Sequence, residues 1–158
     1  MKLSTKILSV IAVFVCLSAC KEPSNIDVID KMQVRLEKAE KEIDKTRQDV
    51  FLPLIDMYAQ LDTTIAREQN IYEQMELVQA YLQQFETEYP NFKKEAEFTK
   101  NQLDNLKSDI LSNDIDEEKG AEYIAKEEKY VKQLENQIDY FNDRLQKQSQ
   151  IVKKLLKK

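Results

Sequence analysis

Histidine and tryptophan are absent from this sequence, glycine occurs only at Gly120, and cysteine only at Cys16 and Cys20. Without histidine the chain lacks the commonest general base, and one glycine cannot build a phosphate cradle. No catalytic residue, metal-ligand set or cofactor is therefore expected. One glycine and three prolines also supply too few turns for a multi-stranded sheet, while 34% of the residues are charged. The composition points to an all-α chain of coiled-coil character.

What is present begins at the N-terminus. Lys2 and Lys6 precede an apolar run from Ile7 to Leu17, and the small residues Ser18 and Ala19 follow, which is the pattern of a secretory signal. A membrane span needs about 20 apolar residues, and Lys21-Glu22-Pro23 ends this run too early. Leu17-Ser18-Ala19-Cys20 resembles the lipobox of bacterial lipoproteins. That resemblance covers residues 1–20. It implies a diacylglycerol on the Cys20 sulfur, cleavage before Cys20 and acylation of the freed amine, so that two or more chains hold the protein at a cell membrane or outer membrane, facing the periplasm or the exterior. Lys21 stands where an aspartate would resemble an inner-membrane retention signal, which favours the outer membrane.

Removal of residues 1–19 takes away Lys2 and Lys6 and leaves 22 basic residues against 29 acidic ones, a formal charge of −7. An acidic exported chain offers no footprint for nucleic acid. With Cys16 removed and Cys20 acylated, no thiol remains for a disulfide or a metal, and stability must come from packing.

Ser24 and Asp27 have the spacing of a capping box, so a helix is expected from about Ile26. Ile29, Met32, Leu36, Ala39, Ile43, Thr46 and Val50 then recur in steps of three and four, the stripe of a coiled-coil seam. Pro53 cannot donate a backbone hydrogen bond, but the stripe resumes at Leu54, Met57 and Leu61 after a four-four step at Val50, a stutter. From Met75 through Val78, Leu82, Phe85, Tyr89, Phe92, Ala96, Thr99, Leu103, Leu106 and Ile110 the register runs through Pro90. A single helix kinked at both prolines is expected. Ser112-Asn113-Asp114 reads as the turn. A second helix follows from Asp116, with a seam at Ile124, Val131, Leu134, Ile138, Phe141, Leu145, Gln148, Val152 and Leu155, and Gly120 sits in its first turns where fraying makes glycine tolerable.

Folding the second seam back on the first pairs residues whose numbers sum to about 227, such as Ile124 with Leu103, Val131 with Ala96 and Leu145 with Leu82. The expected architecture is a long kinked helix and a returning antiparallel helix that form a coiled-coil hairpin. Its alternative is a three-helix bundle broken at Pro90. The domains are a signal (1–19), a lipidated tether (20–25), a helical stalk (26–70) and the hairpin (71–158). At 1.5 Å per residue the first helix would reach about 130 Å and the second about 60 Å, which leaves the stalk's stripe uncovered. Either the chain folds back at Pro53, or copies associate. A parallel homodimer would set Arg35 against Glu40, and Glu42 against Arg47, of a second chain.

Other candidate sites are sparse. Asp114, Asp116 and Glu118 alternate as in a calcium loop, but Lys119 replaces the required glycine and Ala125 the closing glutamate; acidic residues at a helix start explain them. Lys153, Lys154, Lys157 and Lys158 fit anionic headgroups or wall phosphates, and equally a helix C-terminus. Among the seven tyrosines, Tyr89 and Tyr123 could stack on sugar rings or lie in the core. The lipobox and charged heptads resemble helical cell-wall-binding lipoproteins of Gram-positive bacteria. The expected function is that of a lipid-anchored, non-enzymatic envelope lipoprotein, structural or protein-binding, with an envelope protein or the cell wall as partner. The alternative is a periplasmic holdase gripping clients between helical arms.

Overall fold

The computed structural model describes residues 24–61 and 71–157; the signal and Cys20 lie outside them. Ser24 caps the first helix, α1 (Asn25–Thr46), in a complete capping box with Asp27, as the sequence indicates. A π-helical turn (Arg47–Phe51) joins α1 to α2 (Leu52–Tyr58). Two long helices follow, α3 (Tyr72–Leu111) and α4 (Glu117–Leu155). All described elements are helical, and they pack as a three-helix bundle.

The helical arm α1–α2 runs antiparallel to α3. Lys107 pairs with Asp30 and Lys93 with Asp44, while Tyr58 donates to Gln79 further down. The same arm runs parallel to α4, since Asn25 Nδ2 donates to the Glu117 carbonyl and Arg35 meets Glu128 and Glu135. The single helix expected from residue 26 to 110 is thus corrected: the chain reverses between Leu61 and Ile71. Nor does the alternative break at Pro90 occur, because Pro90 lies inside α3 with its ring exposed. Over its described residues the expected stalk lies along the hairpin. Its stripe, Ile29, Met32, Leu36, Ala39, Ile43 and Thr46, is buried by the chain's own α3 and α4.

The reversal after Ser112-Asn113-Asp114 forms as expected. Asn113 takes a left-handed conformation (φ 60°), and the amides of Asn113 and Asp114 bond to the Ile110 and Asp109 carbonyls, which is a Schellman closure. Beyond it α3 and α4 pair antiparallel in nearly the expected register: Phe85 meets Phe141 edge-on at 5.5 Å, and Arg144 lies over Tyr81. Among the described residues the core falls into two clusters. Ile29, Met32, Leu103, Leu106, Ile124 and Val131 fill the end near the turn. A larger one, which includes Leu36, Leu54, Phe85, Leu134 and Leu145, fills the rest.

Two residues play parts other than those expected. The π turn spaces the stripe by five residues instead of four, so Phe51 is buried where Val50 was expected, and its ring meets that of Phe85 at 4.7 Å with a tilt of 42°. The extra residue in the turn also widens the backbone just before Pro53, whose ring would crowd a normal α-helical carbonyl. Gly120 is not a frayed position. A Cβ there would lie 2.9 Å from Asn25 Nδ2 and 3.4 Å from Ile110 Cδ1, so glycine lets the three helices close together at this end.

Candidate functional site

Three outer grooves run along the bundle, one between each pair of helices, and their chemistry differs. Between α1 and α4, the Arg35 guanidinium donates through Nε and Nη2 to both oxygens of Glu135 (2.9 and 2.6 Å) and through Nη1 to Glu128 (2.6 Å). These hydrogen bonds raise the Arg35 pKa and hold the Glu135 carboxyl below its ordinary range. Arg35, expected to meet Glu40 of a second chain, is thus satisfied within its own.

Ion pairs also close the groove between α1 and α3. Lys93 Nζ sits 3.2 Å from Asp44 Oδ2 and 3.4 Å from Glu40 Oε1. Burial would lower its pKa, but the bonds to Asp44 and Glu40 outweigh this and raise it. Gln33 donates to Asp104, and the Tyr89 hydroxyl donates to Asp44 at 2.7 Å. Burial and that acidic partner together push the Tyr89 phenol up. Tyr89, one candidate for sugar stacking, therefore belongs to this polar seam, with Arg47 over its ring.

The groove between α3 and α4 carries no ion pair between its two helices among the described residues. It is a trough of about 690 Å³ in which Phe98 and Tyr130 stand 64% and 56% exposed above buried Thr99 and Leu134. Leu77, Tyr123 and Tyr140 are exposed on the same pair of helices. Their spacing places them, with Phe98 and Tyr130, on the outward face. Glu127 lines the trough, and burial alone pushes its carboxyl up, because no cation lies within ion-pair distance among the described residues.

The remaining candidates separate. Asp116 caps α4 through the Lys119 amide, Asp114 accepts from the Ser112 hydroxyl, and Glu118 stands in the first turn of α4. No group of three or more histidine, cysteine, aspartate or glutamate residues is placed to hold a metal among the described residues. Lys153 and Lys154 are exposed in the last turn of α4, at the end of the bundle away from Ser24. Cys20 lies outside the described residues, and no helix among the described residues is long and apolar enough to cross a membrane.

Phe98, Glu127 and Tyr130 are not among the sequence candidates. Phe98 and Tyr130 are aromatic residues out of seam register: Phe98 falls between the seam positions Ala96 and Thr99, and Tyr123 and Tyr130 are one heptad apart on the outside of α4, whereas Glu127 is a charged residue at the seam position between Ile124 and Val131. Compared with protein-family models, curated proteins and solved structures, the chain matches none.

Proposed function

We propose that this protein is a lipid-anchored, non-enzymatic module of the cell envelope that binds another protein. The observation that carries this reading is the contrast among the grooves: charge pairs bridge two of them, while among the described residues no ion pair crosses the third and Phe98 and Tyr130 stand exposed in it. A bundle that needed only to be a spacer would gain nothing from exposing Phe98 and Tyr130, and rigid aromatic side chains are typical anchors of protein interfaces. The holdase reading needs exposed apolar surface and oligomeric arms, and the stripe from Ile29 to Leu54, which could have served such arms, is largely buried inside the bundle.

The lipobox supports anchoring at Cys20. Four residues from Cys20 to Ser24 span at most about 14 Å, so a lipid there would hold the end of the bundle formed by Ser24, Asn25 and the Ser112–Asp116 turn. The α4 C-terminus and its lysines would then stand up to about 58 Å away, facing away from the anchoring bilayer when the bundle is upright.

Cell fractionation tests the anchor. Cys20→Ser is expected to move the protein from the membrane to the soluble fraction, and retention in the membrane would overturn the anchor. Photo-crosslinking in intact cells tests the module: p-benzoylphenylalanine at position 98 is expected to capture a discrete protein partner, and at exposed position 41 on α1 to capture none. Equal labelling at both positions, or none at 98, would overturn it.

A further inference from the structure

The exposed trough lies on the outer side of the same two helices, α3 and α4, whose inner side already receives α1. Two antiparallel helices offer a helix-wide groove on either side, and among the described residues only one side is filled. We propose that the α3/α4 groove centred on Phe98, Glu127 and Tyr130 receives an amphipathic helix of a different protein, with a lysine or arginine of that helix seated against Glu127. This rests on the protein-binding reading above and gives it a surface and a partner chemistry.

Charge selects the occupant. Glu127 is partly withdrawn from water between the two helices and has no cation beside it among the described residues, a costly state that a partner's cation relieves. The neighbouring tyrosines sharpen the point. Lys126 stands over Tyr123 at 5.1 Å and Arg144 over Tyr140 at 5.4 Å, so those two rings already hold cations from their own chain. Tyr130 has none among the described residues and stands on α4 three positions from Glu127. An arginine or lysine entering here meets a ring face and a carboxylate together. Lys94 and Glu95 line the α3 side of the trough, and their opposite charges nearly cancel, which leaves Glu127 as the uncompensated group. A bilayer surface is disfavoured by this acidic lining, and a neutral glycan would bring hydroxyl donors to the carboxylate but no charge to balance it.

The test uses the full chain reconstituted in phosphatidylcholine vesicles and a fluorescent amphipathic helical peptide of about 18 residues, long enough to lie along about 27 Å of groove. Three versions carry arginine, norleucine or glutamate at the centre of the apolar face. Anisotropy, corrected for empty vesicles, is expected to show the arginine peptide binding at least about tenfold tighter than the glutamate peptide, a difference of about 1.4 kcal/mol. Glu127→Gln is expected to bring the arginine and norleucine affinities together, and Phe98→Ala to weaken all three peptides. Equal binding of arginine and glutamate peptides, a preference that survives Glu127→Gln, or no binding of any peptide would overturn the proposal. So would a photo-crosslink from position 98 to a second copy of this chain or to lipid. The charge preference tests this site alone and the cellular capture tests the module, so the two fail separately.

Discussion

At the scale of single residues, Arg35 and Glu127 show opposite uses of charge. Arg35 spans Glu128 and Glu135 across the α1/α4 groove with bidentate geometry, so its pairing supports folding. Glu135 titrates below its ordinary value because of Arg35. Its stabilising contribution is therefore complete above the ordinary carboxylate range and is lost as pH falls through the lowered value. Glu127 has the opposite sign: burial raises its pKa, so stability falls as pH rises from the ordinary value through the raised one. With Arg35 and Glu135 each about one-third exposed, solvent screening keeps the pair modest. Arg35→Ala is expected to cost about 1 kcal/mol at neutral pH. In chemical denaturation the gap between variant and wild type should narrow as pH is lowered below the carboxylate range; a gap independent of pH would show that the charge pairing is not its source. Neither role was legible in the sequence, because both depend on which helix lies alongside. Arg35 sits in an ordinary heptad pattern that fits a partner helix from any chain.

At the scale of elements, heptad phase identified the buried face of nearly every helix. All the expected α3 seam positions from Met75 to Leu106 are buried except Tyr89, which is half-buried and hydrogen-bonded to Asp44. The exception in the first arm is instructive. The sequence shows Val50 at a four-residue step, but the backbone takes a five-residue step through the π turn before Pro53 and buries Phe51. The larger ring wins the core because it buries more apolar area and reaches Phe85. Phe51→Ala is expected to destabilise by about 3–5 kcal/mol, and Val50→Ala by no more than about 1 kcal/mol. Comparable costs in urea denaturation would place the register on Val50 instead.

At the scale of the whole molecule, the arm α1–α2 and the hairpin α3–α4 share one core. Leu36 of α1 and Leu145 of α4, both essentially buried, lie in the same cluster. Leu36→Ala and Leu145→Ala are therefore each expected to shift one cooperative transition, by about 2–5 kcal/mol, with helical and tertiary signals coincident. Two separate transitions, with Leu145→Ala touching only one, would indicate an independent stalk and hairpin.

The sequence by itself determined the helical class, the capping of α1 at Ser24, the turn at Asn113, the continuity of α3 through Pro90 and the identity of most core residues. These are local or periodic properties, set within a few residues along the chain. Only the tertiary structure decided where the first arm turns back. Phase records which face of a helix is buried, and a chain that reverses into the same core keeps that phase as faithfully as one that runs straight on. The unbroken register that runs through Pro90 in α3 therefore carries no mark of the reversal between Leu61 and Ile71, although Asp62-Thr63-Thr64 and Asn70 are residues of low helix propensity. Which groove stays open among the described residues, and which aromatic side chains stand in it, follows from that reversal, because α1 lies on one side of α3 and α4 and no described helix lies on the other.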